Sequence, residues 1–286
     1  MPDKKERKDT VFKKIFGDKE LFLLFLKDFV NKPWVKNINI EDLKLMPSKY
    51  IGLRESTRES DIVYEINHNE LKMYVFVLLE HQGKVNFLMV FRMLEYMTKI
   101  WRSRIKEAGK KLSERKEYKL PPIVPIVFYD GIENWTAETE FQKKIEKYEM
   151  FKNNIPKFEY ELINLNKISI EKLEKLEDAM SFILMIDKFR EPKDFEKMKN
   201  LKEEFWEKIK EALKNENILE TVAESIEKMM ERLNVPEKDI DDMVNMLEEG
   251  RVREMFNFTA NYDVQKVRAE AYQIRLHNCL FSPHLS

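Results

Sequence analysis

The sequence predicts an α/β protein: a mixed sheet flanked by helices, followed by an all-helical C-terminal region. Three observations carry this. Residues 59–84 hold two runs rich in β-branched and aromatic residues around a short polar segment, the pattern of a β-hairpin. Residues 121–129 (Pro-Pro-Ile-Val-Pro-Ile-Val-Phe-Tyr) read as a further strand that ends at an Asp130-Gly131 turn. From about Ser169 onward the chain shows helical periodicity with charged outer faces. The implied organisation is a core over 1–168, a charged helical region over 169–250 and an irregular tail over 251–286.

The bulk composition sets bounds. A chain of 286 residues makes one large domain or two smaller ones. Apolar residues, 43% of the total, suffice for a proper core. Charged residues reach 36%, above the usual quarter, and only 6 glycines occur, which favours helices over a Gly-rich nucleotide-binding fold. A single cysteine, Cys279, excludes a disulfide framework and fits a reducing, cytoplasmic setting. No secretory h-region opens the chain, and no apolar run approaches a membrane span. The net charge of −1 hides an asymmetry. Residues 99–119 carry nine Lys/Arg against three Glu, net +6, whereas residues 201–250 carry fifteen Asp/Glu against seven Lys/Arg, net −8.

The elements follow in order. Asp9-Thr10 should cap a helix carrying Val11, Phe12, Ile15 and Phe16, which Gly17 breaks. Asp18 can cap a second helix through Val30, with Leu21, Phe22, Phe25, Leu26 and Phe29 as its core stripe. Residues 40–46 read as a strand stopped by Pro47, and 49–58 as a polar loop. A helix is expected over 85–107, with Leu88, Phe91, Leu94, Met97 and Trp101 inward and Arg92, Tyr96 and Lys99 on another face. Residues 138–152 look helical, and 158–165 a last strand with Phe158, Tyr160, Leu162 and Asn164 on one face. Beyond it, 179–189 is markedly apolar, and 194–214, 217–233 and 237–249 are amphipathic helices.

The hairpin carries a mismatch between pattern and chemistry. Met73 to Leu79 is apolar on both faces, as in a central buried strand. Yet that run ends in Glu80-His81-Gln82, and the first strand starts at Asp61. Charges at the end of a core strand are costly unless paired or bound to a metal. Strand parity puts Asp61, Glu80 and Gln82 on one face. A tight turn at His68-Asn69 would leave Asp61 opposite Phe76, four positions short of Glu80. A longer connection over 67–72 is therefore expected, with a bulge or bend as the alternative.

Five pieces occur together: Asp9-x-x-Phe12-Lys13-x-x-Phe16, Glu59-Ser60-Asp61-Ile62-Val63-Tyr64, Leu79-Glu80-His81-Gln82, Arg92-x-x-x-Tyr96, and Pro125 to Gly131 with Trp135 after it. On these, residues 9–165 resemble the recombination-promoting nuclease (Rpn)/transposase family of the PD-(D/E)XK nuclease superfamily. The resemblance implies a restriction-endonuclease-like core, metal-dependent DNA cleavage, and a link to recombination and mobile elements. It also implies Asp61, Glu80 and the main-chain carbonyl of His81 as ligands of Mg²⁺, or of another divalent ion such as Mn²⁺ or Ca²⁺. That donor set suits a hard cation. Gln82 stands where the superfamily carries lysine and the closer family glutamine. It can orient a water but adds no positive charge, and Lys13 or Lys84 could supply one. Ser60 replaces the superfamily's proline, and Gly83 a common serine.

The bland readings stand beside these. Asp61 and Glu80 could form an ordinary ion pair, and Arg92 could pair with Glu95 or cover apolar surface. Tyr129 and Trp135 suit packing better than base stacking. Arg92, Tyr96, Lys99, Arg102 and Arg104 are the candidate DNA contacts, since cations there would release counterions. The acidic helices suit self-association, such as a homodimer. The functional expectation is a Mg²⁺-dependent DNA endonuclease. The alternative is a catalytically impaired nuclease fold that binds DNA or a protein partner.

Overall fold

The computed structural model describes residues 4–47, 62–69, 71–80, 85–131, 133–189, 194, 196–233 and 235–260. The chain divides into two compact units, 1–172 and 173–286. The first contains a five-stranded sheet in the order β1-β2-β3-β4-β5: β1 Leu43–Leu45, β2 Ile62–His68, β3 Leu71–Glu80, β4 Ile123–Tyr129 and β5 Glu161–Asn164. The pairs β1–β2 and β2–β3 are antiparallel, and β3–β4 and β4–β5 are parallel. This is the mixed α/β sheet expected.

One face of the sheet is covered by α1 (Lys4–Gly17) and α2 (Lys19–Phe29). Asp18 caps α2 as expected, its carboxylate accepting from the Glu20 and Leu21 amides at 2.9 and 3.0 Å. Helix α1 begins earlier than the expected cap at Asp9-Thr10, at Lys4, so Asp9 lies within the helix. Phe12, Phe16 and Phe25 gather on Phe128, and Phe22 stacks on Tyr64 at 4.0 Å. The Tyr64 hydroxyl donates to the Gly17 carbonyl at 2.9 Å, fixing the α1–α2 break against β2.

The other face is covered by α3 (Met89–Ala108), followed by the short α4 (Lys110–Ser113). The face that α3 buries differs from expectation. Met89, Val90, Met93, Tyr96, Met97 and Ile100 are buried against Phe76, Leu78, Val127 and Tyr129, while Leu88 and Phe91 are exposed. The helix has apolar residues on two adjoining stripes, and the sheet takes the one led by Met93 and Tyr96. The Trp101 indole donates to the Pro121 carbonyl at 2.9 Å and ties α3 to the start of β4.

Two further expectations are corrected. Residues 138–152 form two short 3₁₀ turns, Phe141–Lys144 and Tyr148–Met150, rather than a helix. Lys147 adopts a left-handed φ of 52° between them, which interrupts any helix. The Phe141 amide instead donates to the Phe158 carbonyl at 3.0 Å. The strand expected over 40–46 shortens to β1, after a 3₁₀ turn at Ile40–Asp42.

The second unit is helical. After α5 (Ile170–Glu174) come α6 (Ala179–Lys188), α7 (Glu196–Lys199), α8 (Glu203–Ala212), α9 (Glu216–Arg232), α10 (Glu237–Glu248) and α11 (Val252–Ala260). Its core holds Phe182, Phe205, Trp206 and Phe256 in ring contact. The span 194–214 splits in two, and the tail expected to be irregular from 251 opens with a helix whose Val252, Met255 and Phe256 are buried. The remainder of that tail lies outside the described residues.

Candidate active site

The three parallel strands β3, β4 and β5 end together. Glu80, the last residue of β3, is the register partner of Tyr129, and Tyr129 is the partner of Asn164. Ligands of α/β sheets gather at such carboxyl ends. The loop after β4 is held firmly. The Tyr129 hydroxyl donates to the Glu133 carbonyl at 2.9 Å, and the Asn166 amide donates to the Gly131 carbonyl. Asn164 accepts from the Asn166 backbone amide at 3.1 Å. Tyr129 also meets Trp135 edge-on at 4.9 Å, and the Trp135 indole donates to the Tyr160 hydroxyl at 3.0 Å. Both rings are packing residues, buried at 0% and 8% exposure.

The hairpin turn overturns the longer loop. His68 pairs with Leu71, which leaves Asn69 and Glu70 alone to turn the chain. Asn69 takes a φ of 46°, a left-handed conformation that asparagine tolerates well in tight hairpins. The turn is anchored from behind, because His68 Nδ1 lies 2.9 Å from Asp42 Oδ2 and the Asn69 amide 2.9 Å from His68 Nε2. The resulting register sets Ile62 against Val77.

Of the expected site residues, Asp61, His81 and Gln82 lie outside the described residues, as does Lys84. Glu80 is placed by its backbone; its side chain lies outside the described part. Lys13 is exposed on α1, which packs on the sheet face of Phe128. Glu80 shares its parity with Leu78, which faces α3. Lys13 is thus on the helix of the opposite face. Among the described residues no group of three or more His, Cys, Asp or Glu could hold a metal ion. Asp130, at 3% exposure, is a buried carboxylate at the end of β4 that sequence reasoning read only as a turn residue. It continues the parity of Phe128 rather than that of Tyr129 and Glu80.

The candidate DNA contacts separate into two groups. Tyr96 is buried at 5% exposure with its ring 4.5 Å from Phe76, so it is a core residue. Arg104 is drawn inward, its Nη1 donating to the Tyr74 hydroxyl at 3.0 Å and standing 3.7 Å from Glu65. Lys99 sits over the Tyr96 ring at 5.2 Å, half-buried. Arg102 is exposed and Arg92 half-buried.

Sequence reasoning missed Glu65. It is 5% exposed on β2, accepting from Tyr74 Oη at 2.5 Å and Asn67 Nδ2 at 3.1 Å and pairing with Lys72 at 2.9 Å. Desolvation pushes its carboxyl up, but the bonds from Tyr74, Lys72 and Asn67 and the Lys72 charge outweigh that and hold it down at about 2. The same burial and the Glu65 carboxylate push the Tyr74 hydroxyl well above its ordinary range. A signal existed: a lone glutamate in the apolar run Ile62 to Ile66.

No helix of the described residues is long and apolar enough to cross a membrane. No solved structure matches the chain. Among curated proteins, the chain is 31% identical over 128 residues to recombination-promoting nuclease RpnA of Escherichia coli K12, covering 44% of this chain and 40% of that protein. It is 27% identical over 124 residues to inactive recombination-promoting nuclease-like protein RpnE of the same strain, covering 43% and 38%. To recombination-promoting nuclease RpnD of Escherichia coli O157:H7 it is 24% identical over 123 residues, covering 43% and 45%. The chain thus spans less than half the length of these relatives. The family model "Putative transposase, YhgA-like" matches residues 6–219, three quarters of the sequence, so the chain belongs to this family.

Proposed function

We propose that the chain is a divalent-cation-dependent DNA endonuclease of the recombination-promoting type, with its site at the carboxyl end of β3. The observation that carries the reading is the register of Ile62 against Val77. Asp61 immediately precedes Ile62. If the pairing were to run one residue beyond the described strand, Asp61 would face Leu78 and have Glu80 as its diagonal neighbour. Diagonal pairs lie about 7–8 Å apart at the backbone, within reach of two carboxylates converging on one ion. The tight turn therefore halves the misfit that a turn at His68-Asn69 would leave. The names of relatives such as RpnA support the same activity.

In this reading Asp61, Glu80 and the His81 carbonyl would hold the ion, Mg²⁺ by preference, with Mn²⁺ or Ca²⁺ accepted by the same oxygens. When bound, such an ion activates water and neutralises phosphate charge. Gln82 orients the attacking water through its amide. The exposed cations of α3 and the segment after it draw the DNA backbone toward the site. Self-association through the C-terminal helices belongs to the same proposal, and sedimentation in the presence and absence of DNA measures it.

The test is nicking of supercoiled plasmid against Mg²⁺ concentration, for the wild type and for Asp61→Ala and Glu80→Ala. Loss of nicking in both variants, with unchanged unfolding curves, is the expected result. Undiminished cleavage by either variant rules the assignment out. A second reading has one observation in its favour: RpnE, 27% identical, is named inactive. A wild type that binds DNA but cleaves none at any divalent-ion concentration would establish that reading instead.

A further inference from the structure

The turn that leads into α3 and the first turn of that helix expose large apolar residues. Phe87, Leu88 and Phe91 are 57%, 56% and 48% exposed. Clustered exposure of this kind marks a contact surface. The cluster is held in place. Asn86 Oδ1 accepts from the Leu88 amide at 2.9 Å, and the Asn86 carbonyl accepts from the Met89 amide at 3.1 Å. The apolar tip is thus fixed to the first turn of a helix whose other face is locked into the core.

Its location and its continuation identify the occupant. Phe87 follows Glu80 by seven residues, so the two lie within about 25 Å. On the exposed line of α3, Leu88 and Phe91 are succeeded by Glu95 and then by the exposed cations Arg102 and Lys106. The line from Leu88 to Lys106 runs for about 27 Å, about three quarters of a turn of duplex DNA. One helix face therefore offers cations at one end and a rigid apolar tip at the end nearer Glu80.

We propose that Phe87, Leu88 and Phe91 form a wedge that enters a base step of duplex DNA beside the cleavage site, while the basic end of α3 holds the backbone. This rests on the DNA-nuclease reading above. Apolar side chains inserted between base pairs unstack and kink the duplex, and the unstacking cost is offset by added contact. At the cleavage site a kink would open the scissile phosphate to the carboxylates of Asp61 and Glu80.

The experiment uses the full-length protein in EDTA, so that no cleavage occurs. Fluorescence anisotropy of a labelled duplex reports DNA binding. Relaxation of plasmid by a metal-independent type IB topoisomerase reports unwinding through the topoisomer distribution. The wild type is expected to bind and to shift the distribution. The Phe87→Ala/Phe91→Ala double variant should still bind the duplex through its cations and leave the distribution unshifted. Wild-type binding without a topoisomer shift overturns the wedge and leaves the nuclease reading intact. Absence of binding in EDTA overturns the wedge, and absence of binding with Ca²⁺ added as well overturns DNA as the substrate. If instead the double variant keeps the shift but converts an oligomer to a monomer in light scattering, the surface belongs to a second copy and the wedge is refuted.

Discussion

Arg104 donates to the Tyr74 hydroxyl at 3.0 Å, and Tyr74 donates in turn to Glu65 at 2.5 Å. This chain of bonds runs from the last turns of α3 through β3 to β2. It clasps the helix to the hairpin at the end remote from Glu80. Arg104 also pairs with Glu107 on its own helix. A guanidinium engaged on two sides in this way is a structural residue, although it sits in the most basic stretch of the sequence. Its removal takes a donor from the Tyr74 hydroxyl and a cation from beside the buried Glu65 carboxylate. Arg104→Ala should cost about 1–3 kcal/mol, seen as a drop of several degrees in Tm by calorimetry. Arg104→Lys should recover only part of it, since a lysine cannot serve Tyr74 and Glu107 together with one fork. An unchanged Tm for Arg104→Ala would refute the clasp.

The Glu65 carboxyl, held at about 2 against an ordinary 4.5, makes stability depend on acid. The folded value is depressed, so the stabilisation is present above about 4.5 and is lost as the pH falls from there toward 2. A shift of this size corresponds to about 3 kcal/mol. Glu65→Gln should therefore be less stable than the wild type at neutral pH, with the gap closing toward pH 2. Urea unfolding followed by tryptophan fluorescence across this window checks it. A gap that does not narrow would place the effect elsewhere.

Several elements were legible because a local rule and the tertiary demand agree. Asp18 caps α2, Phe158 to Leu162 alternate onto the α3 face, and the apolar run Ile123–Tyr129 is a buried parallel strand. Other elements were not, for physical reasons visible at particular residues. Residues Phe141, Ile145 and Tyr148 have helical spacing, but pairing of Phe141 with Phe158 wins and Lys147 turns left-handed. Helix α3 bears two apolar stripes, and only the sheet selects one, leaving Leu88 and Phe91 outside. The hairpin register turned on whether Asn69 accepts a positive φ, which asparagine tolerates in a two-residue turn. In the candidate site, motif order pointed to Asp61 and Glu80, whereas the buried partnership of Glu65, Tyr74 and Arg104 depends on residues 9 to 39 positions apart in sequence.

Gly131 follows β4 directly, and a Cβ added there would fall 2.4 Å from the Tyr129 ring and hydroxyl. Tyr129 cannot yield easily, being fully buried, bonded to the Glu133 carbonyl and packed on Trp135. Gly131→Ala should destabilise by about 1–3 kcal/mol through overpacking. Because Tyr129 is the register partner of Glu80, plasmid nicking should fall further than the loss of folded protein accounts for. Nicking per folded molecule equal to the wild type would separate this loop from the site.

The basic surface should divide by exposure. Arg102 and Lys106 are exposed on α3, whereas Arg104 is committed to Tyr74 and Glu65. Each exposed cation that neutralises a phosphate releases counterion and adds about 0.9 to the slope of log K against log salt. The Arg102→Ala/Lys106→Ala double variant should therefore lower that slope by about 2 with little change in Tm. Arg104→Ala should do the reverse, lowering Tm and leaving the slope unchanged. Anisotropy titrations of a duplex over a range of salt, paired with thermal unfolding, measure both. An equal loss of slope for Arg104→Ala would mean that the clasp opens to present this guanidinium to DNA, and equal slopes for the double variant and the wild type would move the DNA path off α3.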